Sequence, residues 1–175
     1  ITDDERYILS GGRSNIVSRY ELLTGKKTFD TYRTREAMIQ SLAVVPGNDV
    51  LAIGTHKTID LYDVNSYKMI RIFEQKTDRI EAIAFSPDGR QLISSSMNYV
   101  YIWNLETGDL QHSYARNLYD VKNNSTWDDL VASIMFSPDG KFFYFVKYEN
   151  NLVKIEEHAS DNGRLTRTLP LSGSY

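Results

Sequence analysis

Cysteine is absent from this 175-residue sequence, which rules out disulfide bonds, thiolate metal sites and cysteine nucleophiles. Its absence says little about compartment, because an oxidising location permits disulfides without requiring them. No apolar run approaches the roughly 18 residues that a membrane-spanning helix needs. The net charge of −3 gives no general electrostatic reason to expect nucleic acid or an anionic membrane as a partner. The length fits one domain or part of one.

Helical periodicity is also nearly absent, and a repeat takes its place. The segment Ile80 to Gly89 (IEAIAFSPDG) recurs as Val131 to Gly140 (VASIMFSPDG) and, more weakly, at 39–48 (IQSLAVVPGN). An aromatic residue within an apolar run follows two of these segments, and another such residue precedes the first of them. These aromatic anchors, Tyr20, Tyr62 and Trp103, are 42 and 41 residues apart. The repeat length is therefore about forty-one residues, and we expect Tyr62 and Trp103 to be buried.

Each repeat reads as four short strands. In the third repeat, alternating residues predict strands at 80–85, 91–95, 99–105 and 110–115. Pro87-Asp88-Gly89 supplies a fixed φ and then a permissive residue, which is typical of a hairpin turn. Four antiparallel strands with apolar residues on both faces predict a sheet that packs between two neighbours, as propeller blades do.

The sequence resembles the WD-repeat β-propeller family. Trp103-Asn104 stands at the family's Trp-Asp position, and Tyr62-Asp63 and Tyr20-Glu21 are relaxed versions of it. The turns at 85–89 and 136–140 match the family's F-S-P-D-G turn.

The sequence also departs from the family pattern. The family's Gly-His dipeptide is missing, and Met97-Asn98 replaces the Asp-Gly of the bend. The family's buried His-Ser-Asp-Trp hydrogen-bond network is therefore not expected in any repeat. In the fourth repeat Ile155-Glu156-Glu157 replaces the aromatic anchor.

The predicted fold is all-β, an open partial ring of about four blades with fifteen strands. The predicted layout is strands b to d of blade 1 at 1–34, blade 2 at 35–76, blade 3 at 77–117, a loop insertion at 116–129 and blade 4 at 130–175. The resemblance implies a closed ring of about seven blades. We therefore expect the sequence to be a piece of a longer propeller chain, or its remaining blades to come from another chain.

The sequence shows no residue pattern typical of a catalytic or metal-binding site. The three histidines, at 56, 112 and 158, lack the spacing of metal ligands. Glu156-Glu157 is an adjacent pair on a strand, whose side chains point to opposite faces and do not flank one scissile bond. We therefore predict no catalytic residue, no metal and no cofactor.

The first functional hypothesis is a non-enzymatic scaffold or adaptor that mediates protein–protein interactions in a larger assembly, inside the cell, in the cytoplasm or nucleus. The alternative is the propeller portion of an enzyme, a peptidase or periplasmic oxidoreductase, whose catalytic residues lie outside this chain. The resemblance implies that partners dock on the face formed by residues before strand a and between strands b and c. The candidates there are Arg35, His56, Lys57, Asp78, Arg79, Asn98, Tyr99, Tyr148 and Asn150. The insertion adds two aromatic candidates, Tyr119 and Trp127, because Tyr and Trp are enriched at interface hot spots.

Overall fold

A computed structural model describes residues 1–2, 4–34, 38–47, 49–74, 79–96, 99–115, 133–149 and 152–170, and the structural statements below concern these residues. They contain fifteen strands and no helix. The strands form four antiparallel sheets in which the strand order follows the sequence. The prediction of an all-β fold built from propeller-type sheets is confirmed.

The sheets are numbered along the chain. The first contains β1 (Tyr7–Ser10), β2 (Ile16–Glu21) and β3 (Lys27–Arg33). The second contains β4 (Ser41–Val44), β5 (Val50–Gly54), β6 (Thr58–Asp63) and β7 (Met69–Glu74). The third contains β8 (Ile80–Phe85), β9 (Gln91–Ser96), β10 (Tyr99–Asn104) and β11 (Leu110–Ala115). The fourth contains β12 (Ile134–Phe136), β13 (Phe142–Glu149), β14 (Leu152–Ala159) and β15 (Leu165–Pro170).

This strand order gives the sheets two distinct rims. The hairpin rim contains the turns before β1, β5, β9 and β13, with described residues 1–2, 4–6, 45–47, 49, 86–90 and 137–141. It also contains the turns before β3, β7, β11 and β15, at residues 21–26, 63–68, 104–109 and 159–164. The bend rim is the opposite end of the sheets, and its described residues between strands are 11–15, 34, 38–40, 55–57, 79 and 133. In an antiparallel meander alternate connections lie at opposite ends, so the two rims face opposite ways.

One turn on the hairpin rim recurs three times. The Ser86 hydroxyl donates to Asp88 Oδ1 at 2.6 Å and accepts from the N–H of Gln91 at 2.9 Å. Ser137 makes the same pair of bonds with Asp139 and Phe142. The third copy uses Thr2, whose hydroxyl donates to Asp4 Oδ1 at 2.6 Å and accepts from the N–H of Tyr7 at 3.1 Å. In this copy Glu5, with φ of 55°, takes the place of Gly89 and Gly140. The opening residues thus repeat the turn.

An irregularity in the pairing marks the anchor of every sheet. The register between the last two strands of each sheet shifts immediately before Tyr20, Tyr62, Trp103 and His158. A β-bulge of this kind bends the strand and re-aims the side chain. His158 lies opposite Phe143 as Trp103 lies opposite Leu92, so His158 is the fourth anchor. The expectation that residues 155–157 hold this position was wrong.

The turn after each anchor needs a left-handed residue five positions on. The φ angles there are 65° at Gly25, 61° at Tyr67, 84° at Gly108 and 66° at Gly163. A side chain from the preceding sheet packs onto the turn in three cases. Arg71 covers Gly108 and Tyr114 covers Gly163 so closely that neither glycine has room for a Cβ. The ring of Tyr32 packs edge-on against Tyr67 at 5.6 Å.

The apolar core lies between the sheets. Three buried clusters fill the three gaps, and each draws residues from both flanking sheets. Tyr62 and Trp103 are 5% and 6% exposed, as predicted for anchors. The Trp103 ring lies 5.2 Å from Phe73 of the second sheet, and its Nε1–H donates to Ser94 Oγ at 3.1 Å. One Trp–Ser hydrogen bond of the family's network therefore forms in the third sheet, where the complete network was not expected.

Candidate interaction surface

The bend before β6 presents two of the predicted partner-binding residues. Thr55 and Thr58 close this bend, since the Thr55 hydroxyl accepts from the N–H of Thr58 at 3.2 Å and the backbone N–H of Thr55 donates to Thr58 O at 2.9 Å. Thr55 is fully buried, whereas His56 and Lys57 at the tip are exposed. Neither tip side chain makes a hydrogen bond or ion pair with a described residue. The bend is thus a rigid support for two uncommitted side chains.

Arg79 lies beside this bend. The N–H of Ile80 donates to Thr55 O at 3.2 Å, which ties the start of β8 to the bend of the second sheet. The Arg79 side chain is 46% exposed, and its guanidinium lies 3.9 Å from the carboxylate of Glu81, whose side chain is 6% exposed. Glu81 sits at a register shift in β8. His56, Lys57 and Arg79 therefore belong to one part of the bend rim.

Tyr99 is half-buried at the start of β10 rather than displayed at the surface. Its N–H donates to Ser96 Oγ at 3.2 Å, and its ring lies 5.7 Å from the ring of Tyr101. It also packs against the core between the second and third sheets. Tyr99 offers a partner only part of its ring.

Sequence reasoning missed the corresponding bend of the first sheet. Residues 11–15 form it, and Arg13 at its tip is exposed and makes no ion pair or hydrogen bond with a described residue. Gly12 O accepts from the N–H of Ile39 at 2.8 Å, which ties this bend to the chain entering β4. A Cβ on Gly11 would lie 2.7 Å from Cγ2 of Ile39, so only glycine permits this approach. The sequence could have identified Arg13, because it lies between strands b and c, where partner-binding residues were predicted.

The other predicted candidates divide into two groups. Tyr148 lies in β13, where its backbone pairs with Val153 of β14. Six candidates lie outside the described residues: Arg35, Asp78, Asn98, Tyr119, Trp127 and Asn150.

Charge is distributed unequally between the rims. On the described part of the bend rim, the exposed ionisable side chains are Arg13, His56, Lys57 and Arg79, with Arg33 and Glu74 at the adjoining ends of β3 and β7. The described turns of the hairpin rim carry ten Asp or Glu and six Lys or Arg. Among the described residues, the two rims therefore carry opposite excesses of charge, cationic at the bend rim and anionic at the hairpin rim.

Two hairpin-rim carboxylates, Asp88 and Asp139, are engaged in their own turns. The Ser86 hydroxyl, followed by the backbone N–H of Arg90, lowers the pKa of Asp88. The Ser137 hydroxyl and the N–H of Lys141 lower the pKa of Asp139 in the same way. A cleft of about 320 Å³ lies between these two turns. Its carboxylates already accept two hydrogen bonds each, which is the arrangement of a structural cap.

His158 is likewise engaged internally. Its ring stacks on Phe143 and Phe145 at 5.2 and 5.0 Å between centroids. Nδ1 lies 2.8 Å from Gly163 O and Nε2 lies 3.3 Å from Glu156 Oε2. Each ring nitrogen of His158 therefore has a hydrogen-bonding neighbour within its own sheet. No group of three His, Asp or Glu among the described residues is placed to hold a metal ion.

Comparisons with known proteins agree with the repeat pattern. Residues 67–104 match the WD domain, G-beta repeat, family. The chain is 26% identical over 145 residues to an uncharacterized WD repeat-containing protein of Synechocystis, covering 82% of this chain and 38% of that protein. It is 24% identical to the Protein LST8 homolog of Drosophila melanogaster, covering 79% of this chain and 44% of that protein. It is 27% identical to the target of rapamycin complex subunit wat1 of Schizosaccharomyces pombe, covering 61% of this chain and 35% of that protein.

A solved structure supports the same architecture. The chain superposes on hydrazine synthase of Kuenenia stuttgartiensis with a TM-score of 0.78 and 15% identity, over 98% of this chain and 47% of that one. This likeness concerns the fold alone. Four consecutive sheets with bulged anchors define a β-propeller segment. The resemblance to the WD-repeat β-propeller family is confirmed, and the chain spans less than half the length of the curated relatives cited above. No helix long and apolar enough to cross a membrane occurs in the described ranges.

Proposed function

We propose that this chain is a non-enzymatic scaffold or adaptor segment that docks protein partners on its bend rim. The observation that carries the proposal is the Thr55–Thr58 bend, which holds His56 and Lys57 exposed and without an internal partner on a buried support. Rigid repeat scaffolds with variable loops suit this task, because the scaffold positions the loops at little entropic cost on binding. One relative is named as a subunit of a target of rapamycin complex, which fits membership of an assembly.

The proposal extends to the rest of the propeller. This chain covers 35% to 44% of the length of three relatives, which leaves room for further blades. Those blades are supplied by the same longer chain or by another chain. The blade boundaries given above, an intracellular location and the six candidates outside the described residues remain parts of this proposal.

The test compares the two rims. A bend-rim variant, His56→Ala with Lys57→Ala, and a hairpin-rim variant, Lys68→Ala with Arg90→Ala, are each used to capture partners from cell extract, with quantitative mass spectrometry as the readout. We expect proteins bound by the parent protein to be lost from the bend-rim variant and retained by the hairpin-rim variant. Both variants should melt at the parent temperature, since all four side chains are exposed. Equal retention by both variants would contradict the proposal.

A further inference from the structure

We infer that the bend rim of the first three sheets binds a protein segment rich in Asp and Glu. This inference rests on the proposed function and specifies the partner chemistry. Its basis is the exposed cationic set formed by Arg13, Lys57 and Arg79, with His56 beside it.

The first argument is that these cations are available. Arg13 and Lys57 have no ion-pair partner among the described residues, and Arg79 approaches only Glu81, at 3.9 Å. That carboxylate is nearly buried, so it does not neutralise the rim towards solvent. The hairpin rim differs, because its cations stand among a larger number of carboxylates, ten to six in the described turns. Among the described residues, the bend rim is therefore the one that offers a cationic excess to a ligand.

The second argument is that the cations are held on fixed backbone. The bend with Arg13 is tied to the next sheet by the Ile39–Gly12 hydrogen bond, and the bend with Lys57 by the Ile80–Thr55 hydrogen bond. Each bend thus sits beside the start of the next sheet, and the charges lie along one rim. A row of like charges on a rigid surface attracts a partner of opposite sign and speeds its association.

The third argument separates an acidic protein from nucleic acid. The described bend rim adds Glu74 near Lys57, and the whole chain carries −3. A long polyanion would extend beyond the cationic rim towards surfaces with a carboxylate excess, where it would be repelled. A short acidic segment fits within the rim. The geometry therefore favours a peptide over a nucleic acid strand.

The experiment uses fluorescence anisotropy with a labelled peptide in which Glu alternates with Ser, and with an isosteric peptide carrying Gln in place of each Glu. We expect the Glu peptide to bind at least about ten-fold more tightly in low salt, and the difference to shrink at physiological salt. The bend-rim variant R13E/K57E/R79Q should lower affinity for the Glu peptide by at least about ten-fold. The hairpin-rim variant K68E/R90E/R164Q, with the same change in net charge, should leave it unchanged.

Three outcomes would overturn the inference: equal affinity for the Glu and Gln peptides, equal loss in both variants, or tighter binding of an oligothymidylate that displaces the Glu peptide. Failure here is separable from failure of the proposed function. Native partners could be lost from the His56→Ala, Lys57→Ala variant in the capture experiment while the Glu and Gln peptides bind alike. That result would support docking on the bend rim and contradict an acidic partner. If partners are retained, the docking rim itself is wrong.

Discussion

Replacing Gly89 with alanine tests how the hairpin rim joins the second and third sheets. The φ of Gly89 is +67°, and an added Cβ would lie 3.0 Å from Cγ1 of Val45. Gly140 provides a matched site, with φ of +70° and an added Cβ at an ordinary 3.5 Å from Cδ of Pro87. Both substitutions place an L side chain in the left-handed region, at a cost of about 1–2 kcal/mol. Only Gly89→Ala also crowds Val45, which is 1% exposed and lies in the core.

Overpacking a buried site costs about 1–3 kcal/mol, so Gly89→Ala should lower the free energy of unfolding by about 1–3 kcal/mol more than Gly140→Ala. A double-mutant cycle isolates the contact, because Val45→Ala removes the methyl group that the new Cβ meets. Gly89→Ala combined with Val45→Ala should cost about 1 kcal/mol less than the sum of the single changes. Gly140→Ala combined with Val45→Ala should be additive, since that contact is with Pro87.

Urea unfolding followed by far-UV circular dichroism measures these free energies, provided that the slope with denaturant stays constant across the variants. Equal destabilisation by the two glycine substitutions would refute the reasoning. An additive cycle for Gly89 and Val45 would also refute it, because the two sheets would then not meet at this turn.

Three further predictions concern stability. Trp103→Ala should lower the free energy of unfolding by about 3–5 kcal/mol, since a large buried anchor is lost; a change within about 0.5 kcal/mol in chemical denaturation would disprove the anchor register. Gly163→Ala should cost about 3 kcal/mol or more because its Cβ would meet the Tyr114 ring, and Tyr114→Ala should recover part of that loss in the double variant. The pKa values of Asp88 and Asp139 are lowered in the folded state. The two ionised carboxylates therefore stabilise the fold above the unfolded pKa of about 3.9, and this contribution is lost as the pH falls through the pKa values of the folded state. Acid unfolding of Asp88→Asn with Asp139→Asn should show a weaker pH dependence than the parent; an identical profile would contradict this.

The F-S-P-D-G turns could be predicted because proline and glycine carry their backbone preferences in the sequence itself. The copy at residues 2–5 escaped notice because Glu5 occupies the left-handed position without glycine, and the surviving signal is only a hydroxyl residue two positions before an Asp. Sequence alone therefore identifies the copy that uses the favoured residues and misses the one that forms the same hydrogen bonds with others.

The fourth anchor was misplaced for a different reason. Trp103 follows Pro87 by 16 residues, but His158 follows Pro138 by 20, because β13 and β14 are eight residues long where β9 and β10 are six. Strand length is set by pairing between strands, which a fixed repeat spacing does not capture. His158 occupies the anchor position by stacking on Phe143 and Phe145. Because the other anchors are Tyr or Trp, a histidine was not recognised as one from the sequence.

The packing of each sheet onto the next turn limits how freely these repeats can be exchanged. Arg71 packs onto Gly108, Tyr114 packs onto Gly163, and Tyr32 instead packs against Tyr67. The side chain that packs onto a turn and the turn residue that accommodates it lie in different repeats. A repeat copied intact therefore carries only one member of each pair. Duplication, deletion or shuffling of single repeats would place mismatched residues at both new junctions. The unit that can be inherited or engineered as a module is therefore the junction between two repeats, running from the last strand of one sheet to the third turn of the next.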